Sequence, residues 1–548
     1  MKFLSLKYWI FILLIFSSCT KNDNENSISS TQEEVNNNLL QISNNKLVDF
    51  NKQPVYLQGV AFGNEIWSNA PIPPETHHSE IDYQRVKAMG MNAVRFYLNY
   101  RFFEDDTSPY IYKQSGWDWL DKNIQWAKQN NIYLILNMHA PQGGYQSQGT
   151  GDALWNIVEN QNRLAALWKE IANKYKYEPT IAGFGLVNEP VPTSSIEQWS
   201  NLAQKIITEI RTVNKNHLIF IEKAIYVKGN FVPNENLNFP NVTGGNIIYE
   251  FHGYDPLSYT HQLLEFAKLG DGGKYPDENT IETSGSQWYT ATFNNPTISY
   301  GNSGWNYFEG IKYKITDDKI KIAQPALIGA SVNGTVFFDD INIKEYDENG
   351  TFTKNVFDIN LNTIDGWYYW SANDSGTVGL KESEGHNDLK CLFISNATDD
   401  CNLSSSKHHF IPKKNYYYQI SGWMKGNNVA TNAACKLRID FSTTESPILV
   451  RNKAYLASIL KKNVDWAAEN KTILFMGEFG AGAPCFENDK GGLQFVKDMV
   501  DLAKEYNIHF TYHAYHEDSF GIYKGYGTLP DPNNVNQPLI NLFTQILN

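Results

Sequence analysis

Glu189 and Glu478 each close an apolar run, in Phe184-Gly185-Leu186-Val187-Asn188-Glu189-Pro190 and in Ile473-Leu474-Phe475-Met476-Gly477-Glu478-Phe479-Gly480. A run of this length, with β-branched and aromatic residues, predicts a buried parallel strand. A carboxylate at the end of such a strand has no packing reason to be there. Two of them, 289 positions apart (478 − 189), predict a pair facing one cleft. Such a pair can cleave a glycosidic bond, one carboxyl as proton donor and the other as nucleophile, at a separation of ~5–5.5 Å.

The elements that must position the pair alternate along the chain. Apolar runs occupy 55–62, 92–98, 132–139, 181–189, 217–222, 246–252, 472–479 and 509–515. Stretches with helical period lie between or before them, at 81–89, 117–129, 162–175, 196–213, 454–468 and 493–506. Eight strand-then-helix units predict an α/β fold, a (β/α)8 TIM barrel, whose active site lies on the loops that follow the strands. Glu189 then ends the fourth strand and Glu478 the seventh, and these face each other across a barrel. The pattern breaks from 285 to 448, where short alternating strands are separated by Asn-Gly, Asp-Gly and Gly-Asn turns. An all-β sandwich of 285–448 is therefore expected between the sixth and seventh barrel strands. It would spring from the catalytic face or its rim, with the barrel formed by 46–284 and 449–548.

Composition narrows the partners. The net charge is −13, from 46 basic and 59 acidic residues, with no basic cluster, which argues against nucleic acid. Aromatic residues make up 14% of the chain, more than a core usually needs, and exposed aromatic faces suit sugar rings. Trp67, Tyr145 and Trp155 are candidate sugar-stacking residues. Outside the leader the cysteines are Cys391, Cys401, Cys435 and Cys485, too few for a disulfide framework. The first three are close enough in sequence for one bridge. No spacing suggests a metal site, and no cofactor is expected. The chain opens on Met1-Lys2 with Lys7, continues with a short apolar stretch to Phe16, and reaches Ser17-Ser18-Cys19. This resembles a bacterial lipoprotein signal (1–19), with Cys19 as the lipidated residue. Residues 20–45 are polar and predict a disordered tether. The expectation is an exported outer-membrane or cell-surface lipoprotein, bound to the membrane only through that anchor and acting as a monomer.

The motifs resemble glycoside hydrolase family five over 46–284 and 449–548. The resemblance implies an acid/base at Glu189, with Asn188 bonding the sugar 2-hydroxyl, and a nucleophile at Glu478. It implies that Arg95, in Asn92-Ala93-Val94-Arg95-Phe96, stabilises the nucleophile. His139 matches the third-strand histidine, and His252 and Tyr254 the sixth-strand pair near the two carboxylates. Removing 164 inserted residues (448 − 285 + 1) leaves a glutamate spacing of 125 (289 − 164), which is normal for the family. The family usually has a tryptophan on the eighth strand, where this chain has Phe510-Thr511-Tyr512-His513-Ala514-Tyr515, so the resemblance implies substrate binding by His513 in that place, or by the ring of Tyr512 or Tyr515. The implied function is retaining, endo-acting hydrolysis of a β-1,4-glucan-like polysaccharide by a cellulase-like enzyme. Mannanase, xylanase and glycosylceramide-type activities are the alternatives. A non-catalytic surface glycan-binding protein would share the aromatics and tether but would not need the two glutamates, Arg95 and Tyr254. The insert resembles jelly-roll carbohydrate-binding modules through Phe337-Phe338-Asp339-Asp340-Ile341 and Tyr418-Gln419-Ile420-Ser421-Gly422-Trp423-Met424. On that resemblance Asp339 and Asp340 would contribute to a structural calcium site. Trp367, Tyr368, Tyr369 and Trp370 read equally as a sugar platform or as core plus an edge strand.

Overall fold

A computed structural model describes residues 38–548, except positions 76, 230, 284–286, 290, 291, 293, 374 and 406. The leader, Cys19 and residues 20–37 of the expected tether lie outside the described residues.

Eight parallel strands close into a barrel, each paired with its neighbours in sequence order. They are β1 (Gln58–Phe62), β2 (Ala93–Asn99), β3 (Tyr133–Ala140), β4 (Ile181–Gly185), β5 (Leu218–Glu222), β6 (Ile247–Gly253), β7 (Leu474–Phe479) and β8 (His509–Tyr512). The surrounding helices are α1 (Glu80–Ala88), α2 (Gln114–Gln129), α3 (Val158–Lys174), α4 (Ile196–Val213), α5 (Lys453–Asn470), α6 (Gly492–Glu505) and α7 (Gln537–Leu547). Buried Ile, Leu, Ala and Trp of α3 and α4 recur at helical spacing and pack on the strands' outer faces. After β5 the described chain forms two short paired strands, Tyr226–Val227 and Val232–Pro233, in place of a long helix.

Alternate strand residues share the barrel interior. One layer is apolar: Ala93, Ile135, Ala182, Leu218, Phe220, Ile248 and Phe475 pack together. The next positions along the same strands, Arg95, Asn137, Glu222 and Glu250, are polar and buried. Beyond them lie Tyr97, His139 and His252. The interior therefore changes from oil to charge within two residues along each strand.

The apolar end is closed by a segment expected as tether. Gln41–Ser43 and Lys46–Val48 form an antiparallel hairpin, and Leu40 and Leu47 join the apolar interior cluster. Averaged over 20–45 the composition is polar, which hides the Leu39-Leu40 pair. Leu40→Ala should cost about 2–3 kcal/mol, the usual price of emptying a buried leucine site. Thermal unfolding checks this, and an unchanged Tm would mean that the hairpin does not plug the barrel.

Between β6 and β7 the chain builds a two-sheet sandwich. One sheet has the order Gln287–Tyr289, Ala434–Thr443, Ile320–Ala330, Cys401–Ser405, Trp367–Ser371. The other centres on Thr335–Tyr346, which pairs antiparallel with Tyr417–Asn427 through a bulge between Asp339 and Asn342. A separate core holds Leu327, Val336, Phe338, Leu392, Leu403 and Leu437. The sandwich leaves and rejoins the barrel through a two-stranded neck, Asp277–Glu282 against Leu449–Arg451. Arg451 locks it, donating from Nε to Glu282 Oε1 at 2.8 Å, from Nη2 to Ser258 Oγ at 3.2 Å, and to the Gly272 carbonyl. The aromatic group at 367–370 is an edge strand with Trp367 in the core and Trp370 exposed. Cys391, Cys401 and Cys435, close enough in sequence for one bridge, form none, and all three thiols are free and buried. The strands carrying Cys401 and Cys435 are separated by Ile320–Ala330, and Cys391 lies on the other sheet. The carboxylates of Asp339 and Asp340 accept hydrogen bonds from His386 N (2.7 Å) and Asn387 Nδ2 (2.6 Å). They belong to none of the clusters of described residues that could hold an ion.

Candidate active site

At the polar end the barrel opens into a cleft of about 1330 Å³. Glu189, His139, His252, Tyr254, Glu478, His513, Trp67 and Tyr145 line it. Glu189 stands just beyond β4 with φ 43°, a left-handed conformation that a non-glycine residue adopts only where its surroundings demand it. Glu478 is the next-to-last residue of β7, where the register with β6 shifts between Phe251 and His252. That irregularity sets His252 opposite Glu478. Oxygens of Glu189 and Glu478 and a ring nitrogen of His252 all lie within 4.8 Å of one another.

The two carboxyls differ in their surroundings. Glu478 Oε1 accepts from Arg95 Nη1 and from Tyr97 Oη, both at 2.6 Å. Its Oε2 accepts from Tyr254 Oη at 2.7 Å. Burial alone would push this carboxyl up. The charges of His252, His513 and Arg95 outweigh that and hold it well below the usual carboxylate range. Glu478 therefore adds stability that is present above its unfolded value and is lost as pH falls through its folded value. Glu189 is more accessible, and its Oε1 lies 2.9 Å from His252 Nδ1.

Arg95 is the hub. Its Nη2 donates to Asn188 Oδ1 at 2.8 Å. Its Nε lies 2.8 Å from Glu250 Oε1 and its Nη2 3.4 Å from Glu222 Oε2. Asn188, with its oxygen held by Arg95, turns its amide nitrogen toward His139 Nε2 (3.3 Å) and Ser147 Oγ (3.2 Å). Burial keeps His139 well below the ordinary histidine value, hence neutral, and its ring stacks on Tyr97 at 3.9 Å. Burial would also lower His252, but the charges of Glu222 and Glu478 carry it well above. His513 is likewise raised, the charges of Glu517 and Glu478 overcoming burial. Tyr97 gives its single proton to Glu478, so His513 Nδ1 is the donor in their 2.9 Å contact.

Trp67, 38% exposed, stands edge-on to Tyr97, His139 and His513 at 5.9–6.2 Å. With His513 at the end of β8 it forms the aromatic wall of the cleft, where a tryptophan was looked for. Tyr145 lies beside His139. Trp155 and Tyr515 do not reach the cleft. Trp155 is buried on a short helix, donating from Nε1 to Gln146 Oε1 at 2.7 Å and packing edge-on to Trp199. Tyr515 is buried against Phe62 and Tyr523 and donates to Asp82 Oδ1 at 2.8 Å. Three members of the site went unread in the sequence. Tyr97 is two residues after Arg95 and so on the same strand face. Glu222 and Glu250 are the two carboxylates beneath Arg95. Alternation along β2 and β6 would have found Tyr97 and Glu250, while Glu222 closes a run just as Glu189 and Glu478 do.

Residues 48–305 match the family model described as cellulase (glycosyl hydrolase family 5). The match holds β1 to β6 and Glu189 and stops short of Glu478. Endoglucanase C of Acetivibrio thermocellus is 29% identical over 195 residues, which is 35% of this chain and 55% of the relative. Cellodextrinase A of Ruminococcus flavefaciens is 25% identical, over 37% of this chain and 60% of its own. Glucan 1,3-beta-glucosidase of Candida oleophila is 29% identical, over 32% and 44%. The chain thus spans about half the length of the relatives named here.

Proposed function

We propose that the chain, whose residues 48–305 match the glycoside hydrolase family 5 model, hydrolyses β-glycosidic bonds with retention of configuration, through a covalent intermediate on Glu478. The observation that carries this reading is the pairing of Glu189 and Glu478 oxygens within 4.8 Å, one carboxyl ringed by proton donors and the other open to the cleft. Inverting enzymes need ~6.5–9.5 Å between the carboxyls to admit a water.

In the first step Glu189 gives its proton to the glycosidic oxygen while Glu478 attacks the anomeric carbon. The bond from that carbon to the leaving oxygen breaks, and the leaving sugar departs as an alcohol. Oε2 is the attacking atom, since Oε1 accepts two hydrogen bonds and, among the described residues, Oε2 accepts one, from Tyr254, with His252 and His513 farther off at 3.6 and 3.8 Å. Glu189, having given up its proton in the first step, is the base for the second. Glu189 then takes a proton from water, the water oxygen bonds to the anomeric carbon, and the bond to Glu478 breaks. Asn188 Nδ2 is placed to bond the sugar 2-hydroxyl. No step needs a cofactor.

Tyr254→Phe should lower kcat/KM about 10–100-fold, the worth of a hydrogen bond to a charged group. It should also move the acid limb of the pH–rate profile to higher pH, because Glu478 loses a donor that favours its ionised form. An unmoved limb would count against Glu478 as the group that titrates there.

The substrate we propose is a β-1,4-glucan cleaved internally. The names of relatives that act as endoglucanase and cellodextrinase support this, as does a cleft larger than the ~300–1,000 Å³ of small-ligand pockets. No described residue of the sandwich sheets lines the cleft, so a polymer can run past it. A panel of β-glucans, mannan, xylan and glycosylceramide, with product sizes recorded, tests it. Mixed short oligosaccharides from a β-1,4-glucan are expected, and turnover of another glycan alone would reject the assignment. We further propose that Cys19 carries a lipid that anchors the protein at the cell surface. Cys19→Ser should then move it from the membrane fraction to the soluble one, and continued membrane retention would contradict the anchor.

A further inference from the structure

Three buried histidines on the barrel rim take no part in the cleft chemistry. His77 and His78 lie between β1 and α1, and His516 follows β8. They are 1%, 7% and 0% exposed. One ring nitrogen of each lies within 4.8 Å of one from both others. Among the described residues, both nitrogens of His77, both of His516 and Nε2 of His78 meet no group in hydrogen-bond geometry. Buried polar atoms are rarely left this way, and five in one cluster call for a ligand.

The remaining nitrogen, His78 Nδ1, meets Asn64 Oδ1 at 2.9 Å. Asn64 Nδ2 donates to the Tyr97 carbonyl at 2.9 Å, which fixes the amide with its oxygen toward His78. Nδ1 therefore carries the proton, which leaves Nε2 as the nitrogen with a free lone pair, the tautomer control seen around metal-binding histidines. Glu65 Oε1 also lacks a hydrogen-bond partner and lies 3.4 Å from His77 Nδ1. Ring stacking of His77 on His516 at 4.7 Å and of His78 on Phe62 at 3.9 Å accounts for the packing. Apolar rings would pack as well and leave no bare nitrogens.

We propose that His77, His78 and His516, with Glu65, bind a first-row divalent cation of the zinc class as a structural clamp. Three neutral imidazoles and one carboxylate suit zinc in tetrahedral coordination and leave no open position for chemistry. At Zn–N distances of about 2.0–2.1 Å the nitrogens would stand ~3.4 Å apart, so the cluster closes by at most about 1.4 Å (4.8 − 3.4). The ion would join the loops after β1 and β8. Both loops border the cleft: Trp67 is two residues from Glu65, and Tyr526 Oη donates to the Glu65 carbonyl at 3.4 Å. The clamp would hold the aromatic wall in place without touching substrate. No single stretch of sequence could announce it, because His516 lies 438 positions beyond His78 (516 − 78).

The test is metal content and thermal stability of the purified protein after chelator treatment and dialysis against zinc. One zinc per chain is expected, with Tm rising by about 5 °C at ~100-fold excess over Kd. His516→Gln should abolish uptake, Glu65→Gln should weaken it at least about tenfold, and Glu478→Gln should leave it intact. Cobalt loading of the unmutated protein gives an independent reading, since tetrahedral imidazole coordination produces intense visible ligand-field bands. Failure to take up stoichiometric zinc, or featureless cobalt spectra, would overturn the proposal. So would uptake that survives His516→Gln and disappears in Glu478→Gln, which would put the ion in the catalytic cleft.

Discussion

Glu478→Gln is expected to lower kcat by about 10⁵-fold or more, the scale set by deleting a catalytic nucleophile. The variant should remain folded. Glutamine has the same shape, its oxygen can still accept from Arg95 and Tyr97, and Glu222 and Glu250 continue to balance Arg95. What it lacks is an ionised oxygen to attack the anomeric carbon. Direction of attack separates the two glutamates. With an activated aryl β-glycoside and azide, Glu478→Gly should yield the α-glycosyl azide, because azide occupies the vacated nucleophile site. Glu189→Ala should yield the β-glycosyl azide, because azide then attacks the intermediate held on Glu478. A Glu478→Gln protein with near-normal turnover would place the nucleophile elsewhere, with Glu222 the next carboxylate to examine.

Arg95→Met is expected to cost about 3–5 kcal/mol of stability, the consequence of breaking a buried ion pair by removing one partner. Arg95 is fully buried, with Glu478 at 2.6 Å, Glu250 at 2.8 Å and Glu222 at 3.4 Å. Its removal leaves three buried carboxylates and only His252 near all of them. Burial already raises Glu222 well above the usual carboxylate range, and Arg95 is one of the charges that oppose this. A carboxyl whose folded value is raised supports the fold fully below its unfolded value. That support is lost as pH rises through the folded value. The deficit of Arg95→Met should therefore be larger at about pH 7 than at about pH 5. A deficit that does not change with pH would mean that the three carboxylates are not coupled through Arg95.

Much of the barrel was legible because a parallel strand buried on both faces writes itself as an unbroken apolar run. All eight runs correspond to strands, and β4 shows the limit. Its regular ladder ends at Gly185, although the run continues to Glu189: Leu186 and Val187 remain buried, and Leu186 N and Asn188 N still donate to the carbonyls of Phe220 and Met138. Glu189 and Glu478 were visible for the complementary reason, as charges where only packing was expected. Aromatic side chains gave a weaker signal. Trp67 and Trp155 both lie in segments after strands, and nothing local separates the one that faces the cleft from the one that bonds Gln146. Tyr515 continues the last run but sits past the end of β8, where the chain turns its ring toward Asp82. The hairpin that plugs the barrel rests on two leucines in a polar background, too few to move a composition. The buried pair Glu222 and Glu250 and the cluster of His77, His78 and His516 are assembled by barrel closure, so their meaning lies in contacts between distant segments.

Retention at the anomeric carbon is tested most directly by proton NMR in the first minutes of hydrolysis of a β-linked oligosaccharide, before mutarotation. Carboxyl oxygens within 4.8 Å of each other predict that the β-anomer appears first and the α-anomer only later. An α-anomer formed first would require water between Glu189 and Glu478, and would contradict a covalent intermediate on Glu478.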